Sequence, residues 1–114
     1  YQVNDLLTAM KRDTGVALSS LSVDGGASRD SFLMQFQADI SNCTIRRPVI
    51  RETTALGACY LAGLATGVWS SRDELKELWR CDTLYAPSME DEKRSRLLNG
   101  WDKAVGRSLD WAEH

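Results

Sequence analysis

The sequence predicts an α/β fold with few strands and several packing helices, on three observations. The run Leu18 to Val23 reads as a strand, breaks at Asp24-Gly25-Gly26, and restarts as an amphipathic helix. A second strand follows that helix at TIRRPVI, so strand, helix and strand in this order require a right-handed crossover and a parallel pair. Helical periodicity occupies most of the remaining chain.

Val3, Leu6, Leu7 and Met10 recur at helical spacing, and the helix they define should end near Asp13, with Gly15 as its left-handed terminator. After the strand and its glycine turn, Ser28 is expected to cap a helix that buries Phe32, Leu33, Phe36 and Ile40. Gln35, Gln37 and Asp39 should face outward, and Asn42 should stop this helix. Thr44 to Ile50 reads as a strand near a sheet edge, because Pro48 cannot donate to a ladder.

The uncharged stretch from Thr53 through Ser71 raises a membrane question. Polar ends and the diluting Gly57, Gly63, Thr66 and Gly67 favour a buried core helix instead, capped by Thr53 or Thr54. The Gly63 and Gly67 pair should let it lie close to a sheet or another backbone. Ser71 and Glu74 form a capping box for a short helix from Arg72 to Trp79. A loop ending at Pro87 precedes the last helix, whose first turn carries Glu90, Asp91 and Glu92. Leu97, Trp101, Ala104, Val105, Ser108 and Trp111 share one face of it.

Two strands against so many helices would leave exposed edges and too little sheet to cover. The chain also starts at Tyr1, inside a helical pattern and without methionine. Both observations raise the expectation of further strands upstream, in a larger α/β domain.

A length of 114 residues, with 43% hydrophobic and 26% charged, is of single-domain size. The net charge of -2, with acids and bases interspersed, offers no electrostatic footprint for nucleic acid or an anionic membrane. Cys43, Cys59 and Cys81 are odd in number and lack a C-x-x-C pair, so neither zinc nor a disulfide framework is supported, and a reduced, cytoplasmic setting fits. The single histidine is the terminal His114, which argues against a Ser-His or Cys-His catalytic pair. No Walker A loop or metal cluster is visible either. The stretch able to meet a ligand is the turn from Asp24 to Asp30, where Gly25 and Gly26 lack Cβ and would let a flat adenine or ribose approach the main chain.

VDGGASRDSFLMQFQADI followed by RRPVIRETTALGACYLAGLATGVW, with GWDKAVGRSLDW near the end, closely resembles the C-terminal domain of the glycerol kinases, in the FGGY family of carbohydrate kinases. The likeness covers nearly the whole chain. VDGGA alone would indicate only the wider superfamily of actin, hexokinase and Hsp70 ATPases.

The resemblance implies that residues 1–114 are the C-terminal portion of a ribonuclease H-like (actin-like ATPase) domain, in a two-domain enzyme whose N-terminal domain is absent here. It implies ATP in a cleft with its adenosine end on this domain, magnesium, and transfer of the γ-phosphoryl group to glycerol by a homo-oligomeric parent. Gly26 matches the family's glycine whose main chain contacts the nucleotide, flanked by Gly25 and Ala27. Asp30 stands where relatives usually have an asparagine that contacts adenine; an ionised aspartate accepts hydrogen bonds but cannot donate them. Cys59 stands where alanine is common and is expected to be a buried, redox-silent thiol.

The catalytic aspartate, the glycerol-binding residues, the magnesium ligands and the phosphate loops are implied to lie outside Tyr1 to His114, so this chain alone is expected to be inactive. Two alternatives stand beside this reading. One is a kinase of another polyol or sugar in the same family. The other is a stand-alone interaction module built on the glycine-rich helix and the terminal helix, with Trp69, Trp79, Trp101 and Trp111 at its interface.

Overall fold

The computed structural model describes residues 1–50, 52–78 and 80–110. Expectations for Trp79, Trp111 and His114 fall outside the described residues. Five α-helices and three strands are described: α1 (Gln2–Thr14), β1 (Ser20–Ser22), α2 (Ser31–Ser41), β2 (Thr44–Pro48), α3 (Thr53–Thr66), α4 (Arg72–Leu78), β3 (Cys81–Tyr85) and α5 (Asp91–Ser108). A 3-10 turn, Gly26–Arg29, joins β1 to α2.

Local chemistry sets several boundaries where the sequence places them. Gly15 closes α1 in the left-handed region and donates its N–H to the Lys11 carbonyl. Asn42, with φ 49°, does the same for α2 by donating to Ala38. The N-cap of α2, however, is Asp30 and not Ser28: its carboxylate accepts from the Leu33 N–H at 3.1 Å. The intervening 3-10 turn moves the helix start two residues on. Likewise Glu52, not Thr53 or Thr54, occupies the N-cap of α3, and it makes no side-chain cap bond. At α4 half of the expected box forms, with the Glu74 N–H donating to Ser71 Oγ. The Glu74 carboxylate reaches back one residue further, accepting from the N–H and hydroxyl of Ser70.

The sheet order is β1-β2-β3, with β1 and β2 parallel and β2 and β3 antiparallel. Two expectations change here. CDTLY forms β3 where a loop was expected, and β2 is therefore the central strand rather than an edge. Pro48 is tolerated because it is the last residue of β2, where the register shifts between Arg47 and Pro48.

The core is built by Met34 and Ala38 of α2 with Cys43, Ile45 and Tyr85, and Leu21 and Val23 pack against it. Of the stripe read from the sequence Ile40 is buried as expected, but the face of α2 that meets the core runs through Met34 and Ala38 rather than through the two phenylalanines. Phe32 is 80% exposed, and Leu33 is exposed as well. Phe36 instead stacks on Phe32 and meets the ring of Tyr1 edge-on, and Tyr1 stacks on Trp101 of α5 at 5.2 Å. This ladder ties α1, α2 and α5 together.

Asp39, expected to face solvent, is 8% exposed. Its Oδ1 accepts from the N–H groups of Ser88 and Met89 at 2.7 and 3.1 Å, from Gln35 Nε2 at 3.1 Å and from the Ser88 hydroxyl at 3.3 Å. Arg94 completes the clasp by donating to the carbonyls of Asp39 and Met89 and pairing with Asp91. A carboxylate that gathers donors from a distant loop is drawn inward because its desolvation is offset by those bonds.

The helix α3 is not the buried core helix expected. Within it Gly63 alone is buried, while Leu61 is 70% exposed and Cys59 is also exposed. Helices α3 and α4 stand off the sheet rather than covering it, and the radius of gyration of 18.2 Å exceeds the roughly 13 Å of a compact chain of this length. Gly63 receives the indole of Trp69, and Tyr60 meets the same ring edge-on, so the close approach this glycine permits is made by a side chain of the following turn. The last helix is covered only in its first half. Leu97 and Trp101 are half-buried, whereas Ala104, Val105 and Ser108 on the expected packing face are exposed.

Candidate functional site

The turn after β1 lies at the carboxyl end of the parallel pair, where open α/β sheets present ligand sites. Its shape follows from Gly25, whose φ of 77° and ψ of -177° lie in a region that residues with a Cβ avoid. Having turned there, the chain winds into the 3-10 turn, with the Ser28 N–H and hydroxyl both bonding to the Gly25 carbonyl, at 3.2 and 2.7 Å. Ser28 is buried, so this small loop is held from within.

Gly26, Ala27 and Asp30 are exposed, while Gly25 is half-buried. A Cβ built on Gly26 would meet nothing within 4 Å, so its own surroundings in the chain do not require glycine there. Asp30 caps α2 through one carboxylate oxygen, Oδ1. The four residues singled out from the sequence, Gly25, Gly26, Ala27 and Asp30, are therefore gathered in one short turn. An exposed pair, Arg29 and Glu52 at 3.9 Å, links it to the start of α3 and contributes little by itself.

Ala27 and Ser28 also form one wall of a groove of about 630 Å³ that runs past Asp24 to Tyr1, Met34 and Trp101. Gly25, Gly26 and Asp30 do not line it. Trp101 and Trp69 are engaged within the chain. Trp101 stacks on Tyr1 and donates its Nε1 hydrogen to Asp5 at 2.7 Å, and Trp69 covers Gly63.

Sequence reasoning missed Arg47, which is 9% exposed and projects from β2 beneath the turn. Its guanidinium donates to the Ser28 carbonyl at 3.3 Å, to Asp82 at 3.1 and 3.2 Å and to Thr83 Oγ1 at 3.0 Å, and it lies over the Tyr85 ring. The signal was present in the strand period of two, since Arg47 shares a face with the buried Ile45. Among the described residues no cluster of three or more His, Cys, Asp or Glu could hold a metal ion, and no helix is long and apolar enough to cross a membrane.

Residues 1–66 match the C-terminal domain of the FGGY family of carbohydrate kinases. The chain is 56% identical over 113 residues to a glycerol kinase of Caldanaerobacter subterraneus subsp. tengcongensis and 58% identical to one of Clostridium botulinum (strain Alaska E43 / Type E3). Each match takes in 99% of this chain and 23% of the relative, so the chain spans less than a quarter of the length of these relatives. Among solved structures it superposes on the glycerol kinase of Plasmodium falciparum with ADP at a TM-score of 0.83, with 37% identity over 97% of this chain and 22% of that one. The ligand-bound xylulose kinase of Lactobacillus acidophilus, at a TM-score of 0.75 and 20% identity over 96% of this chain and 23% of that one, shares the fold.

Proposed function

The chain belongs to the FGGY family of carbohydrate kinases, and from that premise we propose that it supplies the adenosine-side nucleotide contacts of an ATP-dependent glycerol kinase. The observation that carries this reading is the identity of 56% and 58% to glycerol kinases along almost all of the chain, a span that includes the glycine turn.

In this reading the bare main chain at Gly26 lies against the nucleotide, with Gly25 setting the turn and Ala27 flanking it. Asp30 accepts a hydrogen from the adenine amino group through the carboxylate oxygen that the cap leaves over. The protein's part in such a reaction is positioning and charge stabilisation of the transferring phosphoryl group. Magnesium, which neutralises phosphate charge when bound with ATP, is assigned no residue of this chain. The acceptor is glycerol and the product glycerol 3-phosphate, in a cytoplasmic enzyme that assembles with itself.

Calorimetric titration of ADP into the complete protein that carries this chain, with a coupled phosphorylation assay on glycerol, xylulose and gluconate, tests the proposal. Binding of ADP with preference for glycerol supports it. Absence of ADP binding refutes the nucleotide role, and preference for another acceptor replaces glycerol while leaving that role in place. Light scattering on the same sample reads self-association.

A further inference from the structure

We propose that Arg47 is a positioning residue for the nucleotide turn, holding the Gly25–Gly26 backbone in register with the sheet. The inference rests on the nucleotide role proposed above. Arg47 is within the binding distance of no exposed turn residue; it acts through the Ser28 carbonyl, and Ser28 in turn bonds through both its N–H and its hydroxyl to the Gly25 carbonyl. A continuous chain of hydrogen bonds thus runs from the guanidinium to the peptide that precedes Gly26.

The guanidinium is itself immobilised from the far side. Arg47 and Thr83 are cross-strand partners, and Thr83 Oγ1 and Asp82 take the Nη2 and Nε edge of the fork. Tyr85, also on β3, presents its ring to the Arg47 cation at 5.4 Å and donates its hydroxyl to Ser31 Oγ at 3.0 Å. Nη1 is left to face the turn, where it meets the Ser28 carbonyl and, at 3.5 Å, Ser31 Oγ. A planar, always-charged group with donors on three sides can bridge strand, turn and helix start at once, whereas a lysine offers one point of charge. Breaking the arrangement leaves the buried Ser28 carbonyl with one donor fewer, whereas Asp82, which is open to water, loses one ion pair at little cost.

The test is Arg47→Lys in the complete protein, with Thr83→Val as a second variant that removes one neutral acceptor and keeps the charge. Arg47→Lys should raise the KM for ATP and the Kd for ADP about tenfold, the effect of one lost charge-assisted bond. The KM for the phosphoryl acceptor should stay unchanged. Thr83→Val should move the same two constants by a smaller factor. Amide exchange at Ala27 and Ser28 should quicken in Arg47→Lys without nucleotide present, a change that general loss of stability would spread over the whole chain. Unchanged nucleotide constants in folded Arg47→Lys, or equal loss of affinity for ATP and acceptor, would overturn the positioning role alone. A wild-type protein without affinity for ADP would overturn the nucleotide reading, and the positioning role with it.

Discussion

Replacing Asp39 by asparagine probes the clasp that holds the β3–α5 connection to α2. Four hydrogen bonds converge on Asp39 Oδ1, two of them from the Ser88 and Met89 main chain. Burial alone would raise the pKa of this carboxyl, but the bonds from Ser88, Gln35 and Met89 outweigh it and hold the group below its ordinary value of 3.8. Asparagine keeps an acceptor oxygen but loses the charge, so roughly 1.5 kcal/mol should go, about the difference between charged and neutral hydrogen bonds. That corresponds to about tenfold faster amide exchange at Ser88 and Met89 relative to wild type at neutral pH.

The pH dependence gives the prediction its sign. Because the folded pKa is depressed, the contribution of Asp39 is complete above the ordinary value of 3.8 and is lost as pH falls through the lower folded value. The ratio of exchange rates between Asp39→Asn and wild type, compared at matched pH, should therefore shrink below about pH 4. A ratio near one at neutral pH, or one that grows on acidification, would refute the reasoning.

Other expectations follow from the same geometry. Gly63→Ala places a methyl group inside the Trp69 ring and should cost about 1–3 kcal/mol, read as a lower melting temperature with altered tryptophan fluorescence. Gly57→Ala, in open space on the same helix, should stabilise by about 0.5–1 kcal/mol in the same melt. Asp30→Ala should cost about 1 kcal/mol as a lost N-cap in denaturant titration, while Asp30→Asn keeps the cap. Asp30→Asn should also tighten ADP by about 1–3 kcal/mol, measured by calorimetry, since an amide can donate to a ring nitrogen as well as accept. Trp101→Phe retains the stack on Tyr1 but removes the bond to Asp5, and should cost about 1 kcal/mol in the thermal melt.

Local order is written in contiguous residues. The ends of α1 and α2 at Gly15 and Asn42, the sharp turn at Gly25 and the parallel pairing around α2 follow from which residues accept left-handed backbone and from helical or strand period. The turn's likeness to a nucleotide motif was legible for the same reason, because its residues are contiguous. Tertiary structure alone decided which partners the inward polar groups meet. Asp39 finds its main-chain partners 49 and 50 residues away, and Arg47 finds Asp82 and Thr83 35 and 36 residues away. Neither pairing leaves a periodic trace in either segment. The aromatic stripe of α2 likewise lost the core to Met34 and Ala38, because β2 and β3 lie under those positions while the rings of Phe36, Tyr1 and Trp101 pack on one another. Hydrophobicity marks what can be buried, and only the placement of the neighbouring elements decides what is.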